Sequence, residues 1–405
     1  MNFLWGLMGI AFILFLAFLF SDRKKSISPR TILGGLAFQV LFAFIVLQWE
    51  WGRKALEALT RGVQAVIDSS YEGINFLVGD LLALDNVGSV FAFEVLPIII
   101  FFSSLIAVLY YIGVMQILIK IIGGFLSYIL GTSKAESMSA AANIFVGQTE
   151  APLVVRPYLS DMTRSEIFAV MTGGLASVAG SVLFGYSQLG IPLDNLLAAS
   201  FMAAPGGLIM AKTMMPETEI SATSDTITIE KDTESQNVID AAARGASTGV
   251  QLALNVGAML LAFIGLIAVI NLIVGLLGSA VGIESLTLEM ILGYIFAPIA
   301  FMIGVPWGEA LQAGSFIGQK LVVNEFVAYA SFAPEIESFT EKSRVVITFA
   351  LCGFANLSSM AIILGGFGSL VPERRNELAQ LGLKAVLAGA LTSLLSAAIA
   401  GMFVA

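Results

Sequence analysis

NIFVGQTEAPLVVRP, residues 143–157, decides how the rest of the chain is read. Inside an apolar stretch, Gly147-Gln148-Thr149-Glu150-Ala151-Pro152 sets an amide, a hydroxyl and a carboxylate side by side and then places a proline. The preceding arm, 136–146 (ESMSAAANIFV), measures about 16 Å as a helix, roughly half of a hydrocarbon core. Pro152 suits the start of a second arm, because its missing N–H would be unpaired there anyway. The pattern predicts a re-entrant helical hairpin over about 136–158, with Gly147 to Ala151 as its non-helical tip. Such backbone survives at membrane depth only where it is buried in protein or lines a wet cavity.

The composition supplies the membrane. The 405 residues are 58% hydrophobic and 12% charged, with a mean hydropathy of +0.92. Soluble domains are roughly half apolar and about a quarter charged. Twenty basic against 29 acidic residues argue against nucleic acid as a partner, since phosphate binding needs clustered cations. A single cysteine, Cys352, excludes an intrachain disulfide, and the lack of histidine removes Ser-His-Asp triads and HExxH zinc sites. No Walker loop is present, which argues against ATP as an energy source. Gly365-Gly366-Phe367-Gly368 lacks a phosphate-loop lysine and reads as helix termination.

Residues 3–20 read as a retained helix, not a leader, because no basic segment precedes them. Arg23, Lys24, Lys25 and Arg30 follow and put that loop in the cytoplasm, with the N-terminus outside. Further spans are expected at about 31–49, 92–118, 163–187, 197–212, 288–304, 343–365 and 383–404, linked by loops that carry Lys120, Lys134, Arg156, Arg164, Arg374 and Arg375. Residues 52–80 are too polar to cross and predict an interfacial helix. Residues 252–275 pass as a span by hydropathy, yet counting them puts Arg374 and Arg375 outside. Reading 240–275 as an interfacial helix plus a helix running along the protein keeps the basic loops inside and leaves eight spans.

The order of segments suggests a repeat. Phe93-Glu94-Val95-Leu96 and Leu288-Glu289-Met290-Ile291 each open a unit, and LTRGVQAVID (59–68) is echoed by AARGASTGVQ (242–251). Glu150 has its counterpart in Glu325, which with Asn324 forms the tip of a second hairpin over about 306–336. Each hairpin is followed by a span with a breakable centre: Gly173 to Ser181 in 163–187, and Cys352 to Ser359 in 343–365. The fold class expected is an all-α polytopic membrane protein with eight transmembrane helices, two opposed re-entrant hairpins, interfacial helices and an inverted repeat. The expected division is scaffold spans over 1–50, a first repeat over 51–212, an acidic solvated linker over 213–240 and a second repeat over 241–405. Ligands in such architectures sit at the repeat interface near the midplane. Small residues such as Gly173 or Gly180 are equally often packing contacts. A carboxylate inside the membrane is functional by default, and two at matching places more so.

GQTEAPLVVRP, VNEFVAY (323–329) and CGFANLSS (352–359) resemble motifs of the concentrative nucleoside transporter family, in its bacterial sodium-coupled branch, in the family's order and spacing. The resemblance implies a homotrimer with a fixed scaffold and a moving transport domain, multi-pass in the bacterial inner membrane, with both termini periplasmic. It implies that Gln148, Thr149, Glu150 and Val182 face the nucleobase. Glu325, Asn356 and Ser359 hold the ribose, and Phe354 and Leu254 pack against the ligand. The sodium ligands it implies are the Asn143 and Ser177 side chains with the carbonyls of Val146, Ser177 and Val178. Relatives have isoleucine at the last position, which a backbone ligand tolerates. Sodium enters as coupling ion and no cofactor is expected. A hard cation prefers oxygen, and a carboxylate with an asparagine suits a vicinal diol. The competing readings are a proton-coupled permease, a carboxylate-lined channel and, least supported, an intramembrane hydrolase, for which no nucleophile–base pair stands out.

Overall fold

Caps and glycines fix where each apolar run starts and stops. The computed structural model describes residues 2–82, 91–223, 235–280, 282–283 and 286–404, and these contain no strand. After α1 (Asn2–Leu19), the Ser28 hydroxyl accepts from the Thr31 N–H to open α2 (Pro29–Leu47), with the proline where no N–H is needed. α3 (Glu50–Leu82) buries a stripe that includes Ile67, Ser70 and Ile74 and leaves its charged face exposed, as a helix lying along a membrane surface does. α4 (Phe91–Glu94) runs into α5 (Leu96–Tyr111), and Gly113 at φ +90° turns the chain into α6 (Val114–Leu130). The span expected over 92–118 is thus two helices, and Lys120 lies within α6 rather than in a loop.

Ser133 and Glu136 form a reciprocal capping box that opens α7 (Lys134–Ala142). Its return arm, Ala151–Tyr158, is a tight 3-10 helix with Pro152 in the first turn. Thr163 and Glu166 repeat the capping box at the start of α8 (Arg164–Ala176), and after a break at Ser177–Ala179 the span resumes as α9 (Gly180–Gln188). α10 (Leu193–Met214) completes the first half.

The second half opens with α11 (Val238–Ala280), a single helix of 43 residues and about 65 Å. The expected division of 240–275 into an interfacial helix and a separate one is therefore wrong: no proline interrupts the hydrogen-bond ladder. It is long and apolar enough to cross a membrane, and only 6% of its apolar window is buried. It packs along α5, where Gly245 and Gly249 admit the α5 backbone at Ser103 and Ile100. α12 (Leu288–Met302) has 15 residues, about 22 Å, too short to cross, and turns through 117° into α13 (Trp307–Val322). α14 (Glu325–Phe332) is capped by Asn324, and α15 (Glu341–Leu351) and α16 (Leu357–Leu370) flank a break at Cys352–Asn356. α17 (Arg375–Ala400) closes the chain. The segment expected to cross at 288–304 is thus the first arm of a bent pair, and α11 is a further helix long and apolar enough to cross. Among the described residues seven stretches are long and apolar enough to cross a membrane, in α1, α2, α4–α5, α8–α9, α10, α11 and α17, and the bent pair α12–α13 makes an eighth if it is one span.

α8–α9, α10 and α17 form the buried interior, with α1, α2 and α5 around them. Gly207 lies against Gly173 and Ala176, and Gly389 against Leu175 and Ala355, so backbones approach closely. Buried Gln39 reaches from α2 to donate to the Met202 carbonyl at 2.8 Å and to Ser396 Oγ at 3.3 Å.

The two ends of the molecule differ in charge. At one, Lys384 pairs with Asp22 at 2.5 Å, Arg30 donates to the Tyr128 carbonyl, and Arg374 donates to the carbonyls of Leu159 and Met162 beside the first hairpin's base. At the other, Asn2 Nδ2 donates to the Val404 carbonyl at 2.9 Å, Lys342 donates to Asn2 Oδ1 at 3.3 Å, and Thr340 N donates to Glu309 at the second hairpin's base.

Two expectations shift. The linker is not solvated throughout. Residues 224–234 lie outside the described residues, but Ser221 and Thr223 donate to Glu166, and Glu217 accepts from Thr163 Oγ1 at 2.7 Å. Lys212 meets Glu136 at 2.6 Å, so the buried cap carboxylates of α7 and α8 collect donors from this segment and from α10. The paired openings fall in unlike elements: Phe93 and Glu94 lie in the short α4 and Leu96 begins α5. Leu288–Ile291 opens α12, which leads through a short loop into α13 as α6 leads into α7.

Candidate functional site

The two broken spans meet at their breaks. Phe354 N donates to the Ser177 carbonyl at 3.1 Å. Gly353 takes φ +157°, and a Cβ there would come within 2.9 Å of the Ala176 carbonyl, so only glycine lets the breaks touch. Asn356 caps α16: its Oδ1 accepts from Ser359 N at 2.8 Å and Ser358 Oγ at 2.7 Å. That fixes its Nδ2 to donate to Glu325 Oε2 at 3.1 Å. Asn324 caps α14 and so delivers Glu325 as the first helical residue, while Tyr186 Oη on α9 donates to Glu325 Oε1 at 3.0 Å. Each carboxylate oxygen of buried Glu325 therefore faces one donor, from a different broken span. From α13, buried Lys320 donates to the Ala350 carbonyl at 3.1 Å and to Ser393 Oγ at 2.6 Å, next to the negative end of α15.

The first tip folds back on itself, since Gly147 N donates to Glu150 Oε2 at 3.0 Å. Gln148 is buried and its Oε1 has no partner. Thr149 rests on Gly366 of α16, where an added Cβ would come within 2.4 Å of the threonine Cγ2. Gly180 N donates to the Phe145 carbonyl at 3.0 Å, joining the tip to the start of α9. Gly173 and Gly174, expected to unwind their span, stay helical; they make room for Asn143 and Gln148, and the break falls only after Ala176. Val182 is buried on α9 and Phe354 half-buried in the second break. Leu254 stands 65% exposed on α11 and is the one expected binding residue that is not drawn into this interior.

Around the end of α8, oxygen atoms outnumber donors. Asn143 Nδ2 donates to the Ser139 carbonyl at 2.9 Å, which leaves its buried Oδ1 unpartnered. Ser177 Oγ donates to the Gly173 carbonyl at 3.1 Å, and the Ser177 carbonyl keeps one lone pair beyond the Phe354 bond. Ser139 Oγ on α7 and Thr172 Oγ1 on the facing α8 are also buried without partners. Val146 and Val178 are buried beside them in sequence. Buried polar atoms are normally satisfied, and a set of neutral oxygens suits a hard monovalent cation.

Sequence reasoning missed Tyr186, Lys320, Ser139 and Thr172. Lys320 was detectable as an ionisable residue inside a membrane hairpin. Tyr186 was not, because an aromatic ring in an apolar run reads as packing.

Three family models divide the chain between them. They describe the Na+ dependent nucleoside transporter N-terminus (residues 8–81), a gate for nucleoside recognition (92–193) and the Na+ dependent nucleoside transporter C-terminus (195–401). The chain is 58% identical to an uncharacterized transporter of Bacillus subtilis over all of both chains. It is 50% identical to the nucleoside permease NupC of Helicobacter pylori, covering 99% of this chain and 98% of that one. Identity to sodium/nucleoside cotransporter 2 of Rattus norvegicus is 40%, where 97% of this chain spans 62% of the relative. The solved structure of CNTnw in an inward-facing substrate-bound state matches with a TM-score of 0.95 at 54% identity, covering 100% of this chain and 98% of that one.

Proposed function

The chain belongs to the Na+ dependent nucleoside transporter family, whose members are transporters and not enzymes, and we propose that it is a symporter that imports nucleosides with sodium. The observation that carries this reading is the Glu325 carboxylate, held between Tyr186 and Asn356 where the two breaks meet. A buried carboxylate beside an amide is suited to a vicinal diol, because the one can accept from the sugar hydroxyls and the other can donate to them. Glu325, Asn356 and Ser359 take the ribose, while Gln148, Thr149, Glu150 and Val182 take the base edge. Phe354 forms a wall, and Leu254 joins it only from α11. α16 supports the pairing of the two tips, because it touches Glu325 through Asn356 at one end and Thr149 at Gly366. Those contacts lie ten residues, about 15 Å, apart along the helix, which leaves room for a base joined to a sugar.

Asn143 and Ser177, with the carbonyls of Val146, Ser177 and Val178, hold the sodium ion. Binding there ties the first tip to the break after α8, so the ordering cost is met before the nucleoside arrives. The same free energy then makes each ligand tighten the other. The hairpins, with α8–α9 and α15–α16, move as one body past a scaffold that includes α1 and α2, in a trimer set in the bacterial inner membrane. The cluster of Arg30, Arg374 and Lys384 at one end supports a cytoplasmic location for that end and a periplasmic one for residues 2 and 404.

The test is uptake into proteoliposomes. Labelled uridine accumulates under an inward sodium gradient. Equal accumulation with choline in place of sodium and an imposed proton gradient would reassign the coupling ion to a proton. Flux that neither saturates nor concentrates substrate would make the protein a channel.

A further inference from the structure

We propose that Tyr186 is a positioning residue: it aims the Glu325 carboxylate at the sugar and transmits the state of the cation-site break to it. The proposal rests on the functional reading above.

Tyr186 is completely buried. Its ring is fixed on two sides, 4.8 Å from Phe326 in an edge contact and 4.6 Å from Tyr329, so rotation of its χ angles is blocked. The Tyr329 hydroxyl donates to the Thr348 carbonyl at 2.7 Å and is therefore occupied elsewhere. That leaves the Tyr186 hydroxyl as the donor on Glu325 Oε1, at 3.0 Å, opposite Asn356 on the other oxygen. The two donors differ in origin. Asn356 belongs to the second broken span, close to Glu325 in sequence. Tyr186 belongs to the first, 139 residues away.

The helix that carries Tyr186 has a defined place in the first half. α9 begins at Gly180, directly after the Ser177–Ala179 break, and Gly180 is pinned to the Phe145 carbonyl of the first tip. A Cβ at Gly180 would come within 2.8 Å of that oxygen, so the joint has no slack. Val182 and Tyr186 are four residues apart and share a face. From Gly180 to Tyr186 is about 9 Å along the helix. α9 is thus a short rod with one end on the cation-site break and the other on the sugar-binding carboxylate. A change in the break that tilts α9 moves the hydroxyl off Glu325, whereas an ordered break holds it there.

The experiment compares wild type with Tyr186→Phe, which keeps the ring and deletes only the hydroxyl. Equilibrium binding of uridine and of 2′,3′-dideoxyuridine is measured at high and low sodium. The expected result is about a tenfold or greater loss of uridine affinity, the worth of one hydrogen bond to a charged group, with the dideoxynucleoside almost unaffected. The discrimination between the two ligands shrinks, and so does the ratio of uridine affinities at high and low sodium. In a Glu325→Gln background, the hydroxyl deletion has no further effect on uridine. A purely structural role would weaken both ligands equally and lower the melting temperature, and that outcome overturns the proposal. So does wild-type discrimination in Tyr186→Phe. If wild type binds no nucleoside at all, the functional reading fails first and the proposal falls with it.

Discussion

Replacing Glu325 with glutamine separates a binding carboxylate from a structural one. The carboxylate accepts from Tyr186 Oη at 3.0 Å and Asn356 Nδ2 at 3.1 Å, and it keeps lone pairs free for two sugar hydroxyls. A hydrogen bond to a charged group contributes about 1.5–3 kcal/mol and a neutral one about 0.5–1.5, so each sugar contact loses about 1–1.5 kcal/mol on neutralisation. Two contacts make about 2–3 kcal/mol, or about 30- to 150-fold in Kd. The glutamine amide must also point its NH2 at one of the two donors. Asn356 cannot rotate away, because its oxygen is committed to Ser359 N and Ser358 Oγ. The orphaned donor costs about 1–3 kcal/mol of stability, a fall of a few degrees in melting temperature. The assay is titration calorimetry with uridine at saturating sodium, beside a thermal melt of the same sample. A uridine Kd within threefold of wild type would remove the sugar role. A collapse of the melt together with binding would make Glu325 structural instead.

Gly366→Ala brings a Cβ within 2.4 Å of Thr149 Cγ2 and 3.1 Å of Thr149 Cβ. Overpacking of this kind costs about 1–3 kcal/mol, so uridine affinity falls about tenfold as the tip shifts. Adding Thr149→Ser, which removes Cγ2 and keeps the hydroxyl, restores most of it in the same binding assay; no rescue would mean the tip does not rest there. Asn143→Ala removes the unpartnered Oδ1 beside the end of α8. The sodium concentration for half-maximal uptake then rises about tenfold, the equivalent of about 1.4 kcal/mol, while uridine affinity at saturating sodium stays near wild type; an unchanged sodium dependence would clear Asn143 as a ligand.

What the sequence made legible were the interruptions. Polar residues and prolines inside apolar runs marked both tips, and Gly, Ser and Asn marked both breaks, because the bilayer penalises such residues unless structure needs them. Glu150 and Glu325 were visible for the same reason. Crossings were harder, since hydropathy sums a window and ignores direction. α12 is apolar enough to count, but its composition does not show the 117° bend that joins it to α13. The parity of basic loops then divided 240–275, which is one continuous helix. Contacts of long sequence separation were not legible at all. Nothing local shows that Tyr186 finds Glu325, that Ser221 and Thr223 seek the Glu166 carboxylate, or that Leu254 ends up on an outer face.

The hydrogen bond between Asn2 and the Val404 carbonyl has a consequence for how the chain is threaded. Residues 2 and 404 lie side by side, so a short bridge could join them, and the polypeptide could be opened instead between 224 and 234. The part of the linker before that stretch is already gripped by Glu166 and Lys212 of its own half and would keep its grip. A circularly permuted chain would be synthesised with α11 first and α10 last, yet each helix would keep its neighbours. Temporal order of insertion is thereby separable from final architecture.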